Sequence, residues 1–212
     1  MLITKIKEPD EINNYVARKP FIFTCFGCQE VSFPEKEVAQ VLTENKDKII
    51  AHSRVDYLCR EEFSRIYIDN HADEIKESDI VIVFSCGVGV QVIAKLLEDK
   101  TVMAGCDTVY LNGFQGLTPP DYDCQQCGEC YLTYTGGICP LTSCSKGLLN
   151  GPCGGTNDGK CEVNPKMNCG WDLIYTRLKA VGKENLIKES DVFVRDYEKI
   201  IKPKPEKEEQ TK

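Results

Sequence analysis

Thirteen cysteines in 212 residues are the densest chemistry in this chain. Eight of them, Cys124, Cys127, Cys130, Cys139, Cys144, Cys153, Cys161 and Cys169, follow the spacing C-x2-C-x2-C-x8-C-x4-C-x8-C-x7-C-x7-C. Glycines and prolines between them (Gly136-Gly137, Gly151-Pro152, Gly154-Gly155) are expected to exclude regular helices, so ligands and turns must organise the stretch. Four more, Cys25, Cys28, Cys59 and Cys86, lie in the first half, the first two as a C-x2-C pair. Cys106 stands apart and reads as a small buried side chain.

Disulfides fit this inventory poorly. The opening MLITKIKEPDEINNYV lacks the apolar core of a secretory signal, so a cytoplasmic location is expected. No apolar run approaches the roughly 20 residues of a membrane span. Reduced thiols in a dense pattern then point to metal, and an odd cysteine count leaves one over from any complete disulfide set. Within the eight-cysteine stretch, four thiolates could close a tetrahedral zinc site. Iron–sulfur chemistry fits CQQCGEC better, because C-x2-C-x2-C can take three corners of a 4Fe–4S cubane and a remote cysteine the fourth. The two histidines, His52 and His71, lie outside the stretch, which favours all-thiolate centres over a hydrolytic zinc with an open position. Twelve candidate ligands allow one or more 4Fe–4S clusters, up to three four-cysteine sites, with zinc as the alternative. Their division among sites is open from spacing alone.

The elements that position the first four are those of an α/β fold. FIFTCF (21–26), KIIAHSRV (48–55), DIVIVFS (79–85) and TVMAG (101–105) read as strands. EKEVAQVLTENK (35–46), the polar stretch 60–77 and VQVIAKLLEDK (90–100) read as helices. Such alternation predicts a parallel layer, flavodoxin- or Rossmann-like, over residues 1–118. Cys25, Cys28, Cys59 and Cys86 fall after successive strands, at the carboxyl edge where such sheets gather ligands. Gly87-Val-Gly89 there offers a competing nucleotide use, but Val92 breaks the G-x-G-x-x-G fingerprint, so the glycines are expected to serve a turn beside Cys86. The irregular cysteine-rich module is expected over 119–172 and C-terminal helices over 173–201. One helical face would carry Trp171, Ile174, Leu178 and Val181, the other Phe193, Tyr197, Ile200 and Ile201. The tail KPKPEKEEQTK (202–212) reads as disordered. A net charge of −7 argues against a nucleic-acid surface.

The string GECYL…TGGICPLTSCSKGLLNGPCGG…GKCEV…CGW…IYTRL resembles the methylenetetrahydrofolate reductase C-terminal (MetV-type) family. CFGC, the LC ending at Cys59 and SCGVGVQ resemble that family's N-terminal half, so the likeness spans roughly residues 20 to 182. Ser32 stands where the family pattern often has a further cysteine. The resemblance implies an iron–sulfur subunit, with zinc as a further option, of methylenetetrahydrofolate reductase in one-carbon metabolism of the acetogenic (Wood–Ljungdahl) type. Its partner would be a MetF-type flavoprotein that holds the folate and flavin sites. An upstream electron donor, a ferredoxin or a further oxidoreductase subunit, would feed it.

The residues agree with a non-catalytic electron carrier. No nucleophile set or carboxylate pair stands out for acid–base work. Thiols arranged for clusters can pass single electrons to a flavin that collects two. A metal-stabilised scaffold, with zinc or a single cluster and no electron traffic, is the alternative.

Overall fold

A computed structural model of the chain describes residues 2–28, 31–111, 123–189 and 191–200. The first half runs β1 (Leu2–Ile6), α1 (Pro9–Val16), β2 (Pro20–Cys25), β3 (Val31–Ser32), α2 (Glu35–Glu44) and β4 (Ala51–Val55). It continues through α3 (Glu61–Asn70), α4 (Ala72–Glu77), β5 (Ile80–Phe84), α5 (Gly87–Leu96), β6 (Thr101–Ala104) and β7 (Cys106–Leu111). The rest holds α6 (Pro140–Ser143), a single helical turn started by Pro140 inside the stretch where no regular helix was expected, then α7 (Gly170–Ala180), α8 (Leu186–Glu189) and a 3-10 turn at Tyr197–Ile200.

Continuous apolar runs make a sheet that is covered on both faces. The order β4-β2-β5-β6 is parallel throughout, with Phe21 opposite both Ala51 and Val81, and Val81 opposite Val102. Phe21, Phe23, Val81 and Val83 pack with Ile75 of α4 and with Val90 and Ile93 of α5. Ile22, Ile80, Ile82 and Phe84 pack on the other side with Ile12 and Val16 of α1 and Val38 of α2. Each such fully buried side chain contributes about 1.5–3 kcal/mol relative to exposure. From β2 the chain crosses first to β4 on one side, then to β5 on the other. The carboxyl ends of β2 and β5 therefore flank the point where strand order reverses.

A second sheet, β3-β1-β7, was not expected from the sequence. Here β1 pairs with β7 antiparallel, Ile6 opposite Cys106, and with β3 in parallel. LITKI and CDTVYL mix charged and hydroxyl residues into strands, which hides the alternation that signals β structure. Cys106 is fully buried, as its isolation suggested.

Three other expectations change. The 60–77 helix divides at His71 into α3 and α4. Gly87 and Gly89 lie inside the first turn of α5 rather than in a turn before it. The expected helix through Phe193 and Tyr197 is replaced by irregular chain and the short 3-10 turn. Phe193 sits against the Tyr131 and Tyr134 rings, at centroid distances of 5.4 and 4.8 Å, so aromatic contact fixes this segment without helical hydrogen bonds. The boundary expected at 118–119, Ile201 and the tail at 202–212 lie outside the described residues. No helix among the described residues is long and apolar enough to cross a membrane.

The cysteine-rich stretch shares the core of the α/β layer. Cys130 and Leu132 are buried in the cluster that holds Val90, Ile93 and Ala94 of α5. Gly137 has φ +85°, and a Cβ there would meet the Ala94 Cβ at 2.1 Å, so only glycine lets the chain lie on α5. Arg177 of α7 completes the junction. Its guanidinium donates to the carbonyls of Gly136 (3.1 Å), Leu97 (2.7 Å), Lys100 (2.9 Å) and Glu98.

Candidate metal centre

Three strand ends deliver the N-terminal thiols. Cys25 closes β2, Cys59 follows the turn after β4, and Cys86 precedes the first turn of α5. Cys59 and Cys86 are buried with Val88 and Val92, and Cys28 and Cys124 pack against them. The thiols feel one another. Burial first, then the neighbouring Cys25 and Cys28, pushes the Cys59 pKa up to about 12. Burial also lifts Cys86 well above the ordinary thiol value, and Cys124, Cys25 and Cys59 add to it. Opposing this, backbone amides of Gly27, Leu58 and Tyr57 hydrogen-bond the Cys25 sulfur, and Gly89 does the same for Cys86.

A second group forms beside it. Cys124, Cys127, Cys130 and Cys139 line one cavity together with Gly87, Gln91 and Thr108. The unexpected second sheet is its platform. Thr108 of β7 accepts the Gly87 N–H at 2.9 Å, and its side chain hydrogen-bonds the Cys124 sulfur. Asp107, its neighbour, accepts the Cys130 N–H through Oδ1 at 2.6 Å. The Gln91 amide donates to the carbonyls of Gly87 (3.2 Å) and Asp123 (2.7 Å), tying α5 to the start of the cysteine run. Burial raises all of Cys124 (to about 12), Cys127 and Cys130, opposed by backbone hydrogen bonds at Gln126, Glu129 and Leu132. Cys124 belongs to both neighbourhoods, touching the first group and facing the second cavity.

The remaining four are looser. Cys144 and Cys169 pack against the Trp171, Ile174 and Leu178 core, and Trp171 Nε1 donates to the Leu148 carbonyl at 3.0 Å. Cys153 is exposed, and its sulfur accepts the Gly155 N–H at 3.4 Å. Cys161 lies 3.5 Å from the Ser145 hydroxyl, whose hydrogen bond, with backbone amides of Val163 and Asn164, holds its thiol below the usual range.

The structure thus draws Cys25, Cys28, Cys59 and Cys86 together, and separately Cys124, Cys127, Cys130 and Cys139. It does not gather the last four as closely. Among the described residues, no three Cys, His, Asp or Glu side chains form a group fit for a single metal ion. The second quartet instead lines a small cavity, of about 20 Å³, together with apolar and amide side chains. The donor set fits an iron–sulfur cluster: soft thiols, apolar walls and amide N–H groups at the sulfurs. The sequence does not mark Thr108, Asp107 and Gln91 as part of a site, because a single hydroxyl, carboxylate or amide carries no ligand spacing and its partners lie far along the chain. The nucleotide alternative weakens at the same place, since Thr108 already takes the Gly87 N–H.

Residues 103–198 match the family model described as methylene-tetrahydrofolate reductase C terminal. The matched region takes in β7, both later cysteine groups and α7, and leaves Cys25, Cys28, Cys59 and Cys86 outside it. No curated protein and no solved structure matches the chain.

Proposed function

With residues 103–198 belonging to the methylene-tetrahydrofolate reductase C-terminal family as the premise, we propose that this chain is the electron-transferring iron–sulfur subunit of a methylenetetrahydrofolate reductase complex. It would relay electrons to the flavin of a MetF-type partner, which reduces 5,10-methylene- to 5-methyl-tetrahydrofolate. The observation that carries this reading is Cys124, which packs against the Cys59–Cys86 cluster while lining the cavity of Cys127, Cys130 and Cys139. Two thiol groups in contact are what a relay needs, whereas a scaffold needs only one staple.

In this reading Cys124, Cys127, Cys130 and Cys139 hold one 4Fe–4S cluster and Cys25, Cys28, Cys59 and Cys86 a second. Bound clusters supply one-electron chemistry that a flavin can collect in pairs. The protein's own share is exclusion of water and donation of N–H groups to sulfur. Val88, Val92 and Leu132 wall the sites, and the amides of Gly27 and Gly89 stabilise thiolates that burial alone would disfavour.

The scaffold alternative draws on the third group. Exposed Cys153 sits among turns with positive φ at Gly151 and Gly154, where Cys144, Cys153, Cys161 and Cys169 could close a structural zinc site in place of a hydrophobic core.

The test compares the flavoprotein alone with the complex, using a low-potential one-electron donor. Relay predicts flavin reduction that is fast only in the complex and lost when Cys127→Ser leaves the complex assembled. Equal rates with and without this subunit would favour the scaffold.

A further inference from the structure

Lys7 is a lysine buried to 5 % exposure, directly after β1. Its ammonium contacts Asp107 Oδ1 at 3.3 Å and Glu11 Oε1 at 3.2 Å. Burial alone would lower its pKa, but Asp107 and then Glu11 outweigh burial and hold it above the ordinary lysine value. Burial lifts the Asp107 carboxyl, with Lys7 and the Cys130 N–H opposing. Charges at such depth are costly unless they are fully paired. The neighbours of Lys7 show where it acts: the same Asp107 Oδ1 takes the Cys130 N–H at 2.6 Å. The ammonium also reaches the Cys130 thiol electrostatically, more strongly than Asp107 does.

We propose that Lys7 is a positioning residue for the Cys124–Cys139 site: through Asp107 it fixes the Cys130 backbone, and its buried charge sets the reduction potential of the cluster held there. This rests on the iron–sulfur reading. One-electron reduction adds a single negative charge to a cluster and makes or breaks no bond, so a fixed cation in a water-poor setting favours the reduced form. The buried carboxylate of Asp107 acts in the opposite sense. Lys7 and Asp107 therefore form a pair whose removal, one member at a time, should move the potential in opposite directions. A purely structural pair would not do so.

The experiment is a potentiometric titration with dithionite, followed by electron paramagnetic resonance, on the full chain purified without oxygen. It is run well above the Asp107 range so that the carboxylate stays ionised. Iron and sulfide are measured first on each variant. Lys7→Met should favour the oxidised cluster by about tenfold at fixed potential, about 59 mV for a one-electron couple. Asp107→Asn keeps an acceptor for the Cys130 N–H and should shift the potential upward, while Lys7→Arg should stay near wild type. A fully loaded Lys7→Met with unchanged potential overturns the inference and leaves the iron–sulfur reading standing. Wild-type protein without sulfide overturns that reading itself. If Lys7→Met fails to load, Asp107→Asn decides: an upward shift supports the inference, and no shift or a downward one overturns it.

Discussion

A Cβ built on Gly87 would lie 3.2 Å from the sulfur of Cys124, so the first turn of α5 and the start of the cysteine run meet where an added methyl would be tight and the sulfur would have to give way slightly. That contact joins the two halves of the proposed centre. Gly87→Ala is compatible with a helix and should leave unfolding free energy within about 1 kcal/mol. It should nevertheless displace Cys124 by tenths of an ångström and alter the visible and resonance spectra of a cluster bound there. A stable Gly87→Ala protein with wild-type spectra would show that Cys124 is not a ligand.

Arg177 tests whether the cysteine-rich stretch folds as part of the α/β layer. Its hydrogen bonds bind the Leu97, Glu98 and Lys100 carbonyls of the chain that follows α5 and hold Gly136 against it. Arg177→Ala leaves those carbonyls without their charged donor and should cost about 3 kcal/mol. Urea unfolding at matched metal content measures it. A change within about 0.5 kcal/mol, typical of a surface site, would mean that the junction is held elsewhere.

How much of this was legible in the sequence depends on where polar residues sit. IVIVF announced β5, and the C-x2-C that begins within FIFTCF placed Cys25 and Cys28 at a strand end. The Trp171, Ile174 and Leu178 spacing likewise marked the buried face of α7. The second sheet stayed hidden because β1 and β7 carry Lys5, Asp107 and Thr108, residues whose value comes from partners far along the chain. Lys7 looks like an exposed cation until Asp107 and Glu11 surround it. Phe193 follows helical spacing with Tyr197, yet its contact with Tyr131 and Tyr134 overrides that periodicity. The strand pattern already put Cys25, Cys28, Cys59 and Cys86 at one sheet edge, and the order β4-β2-β5-β6 brings those strand ends together, whereas the contact of Cys124 with that group and the cavity it shares with Cys127, Cys130 and Cys139 come from long-range packing that spacing does not carry.

Lys183 gives a pH dependence with a defined sign. Burial first, and then the nearby Arg18, lower its pKa from 10.5 to about 8. Below about 8 both folded and unfolded chains carry the proton, and the penalty for burying the charge is fully present. Between about 8 and 10.5 the unfolded chain binds more protons, so this group makes stability rise with pH. Lys183→Met should therefore be more stable than wild type at neutral pH, with a margin that shrinks across that window. Denaturant midpoints at several pH values measure the margin. A margin that grows with pH would contradict the assignment.

The N-terminal quartet can be separated from the second. Cys28→Ser should remove the iron of one site and leave the signal of the Cys124–Cys139 site in place, because Cys28 packs with Cys59 and Cys86 and does not line that cavity. Iron analysis paired with spectroscopy reads both. Unchanged iron would return Cys25, Cys28, Cys59 and Cys86 to the role of buried apolar side chains.

The central claim is that these thiols hold iron–sulfur clusters, and iron, zinc and acid-labile sulfide per chain, measured on protein purified without oxygen, test it most directly. The expected result is a brown protein with iron and sulfide in equal amounts, enough for at least one 4Fe–4S cluster, and a resonance signal on reduction. A colourless protein containing zinc but no sulfide would contradict it.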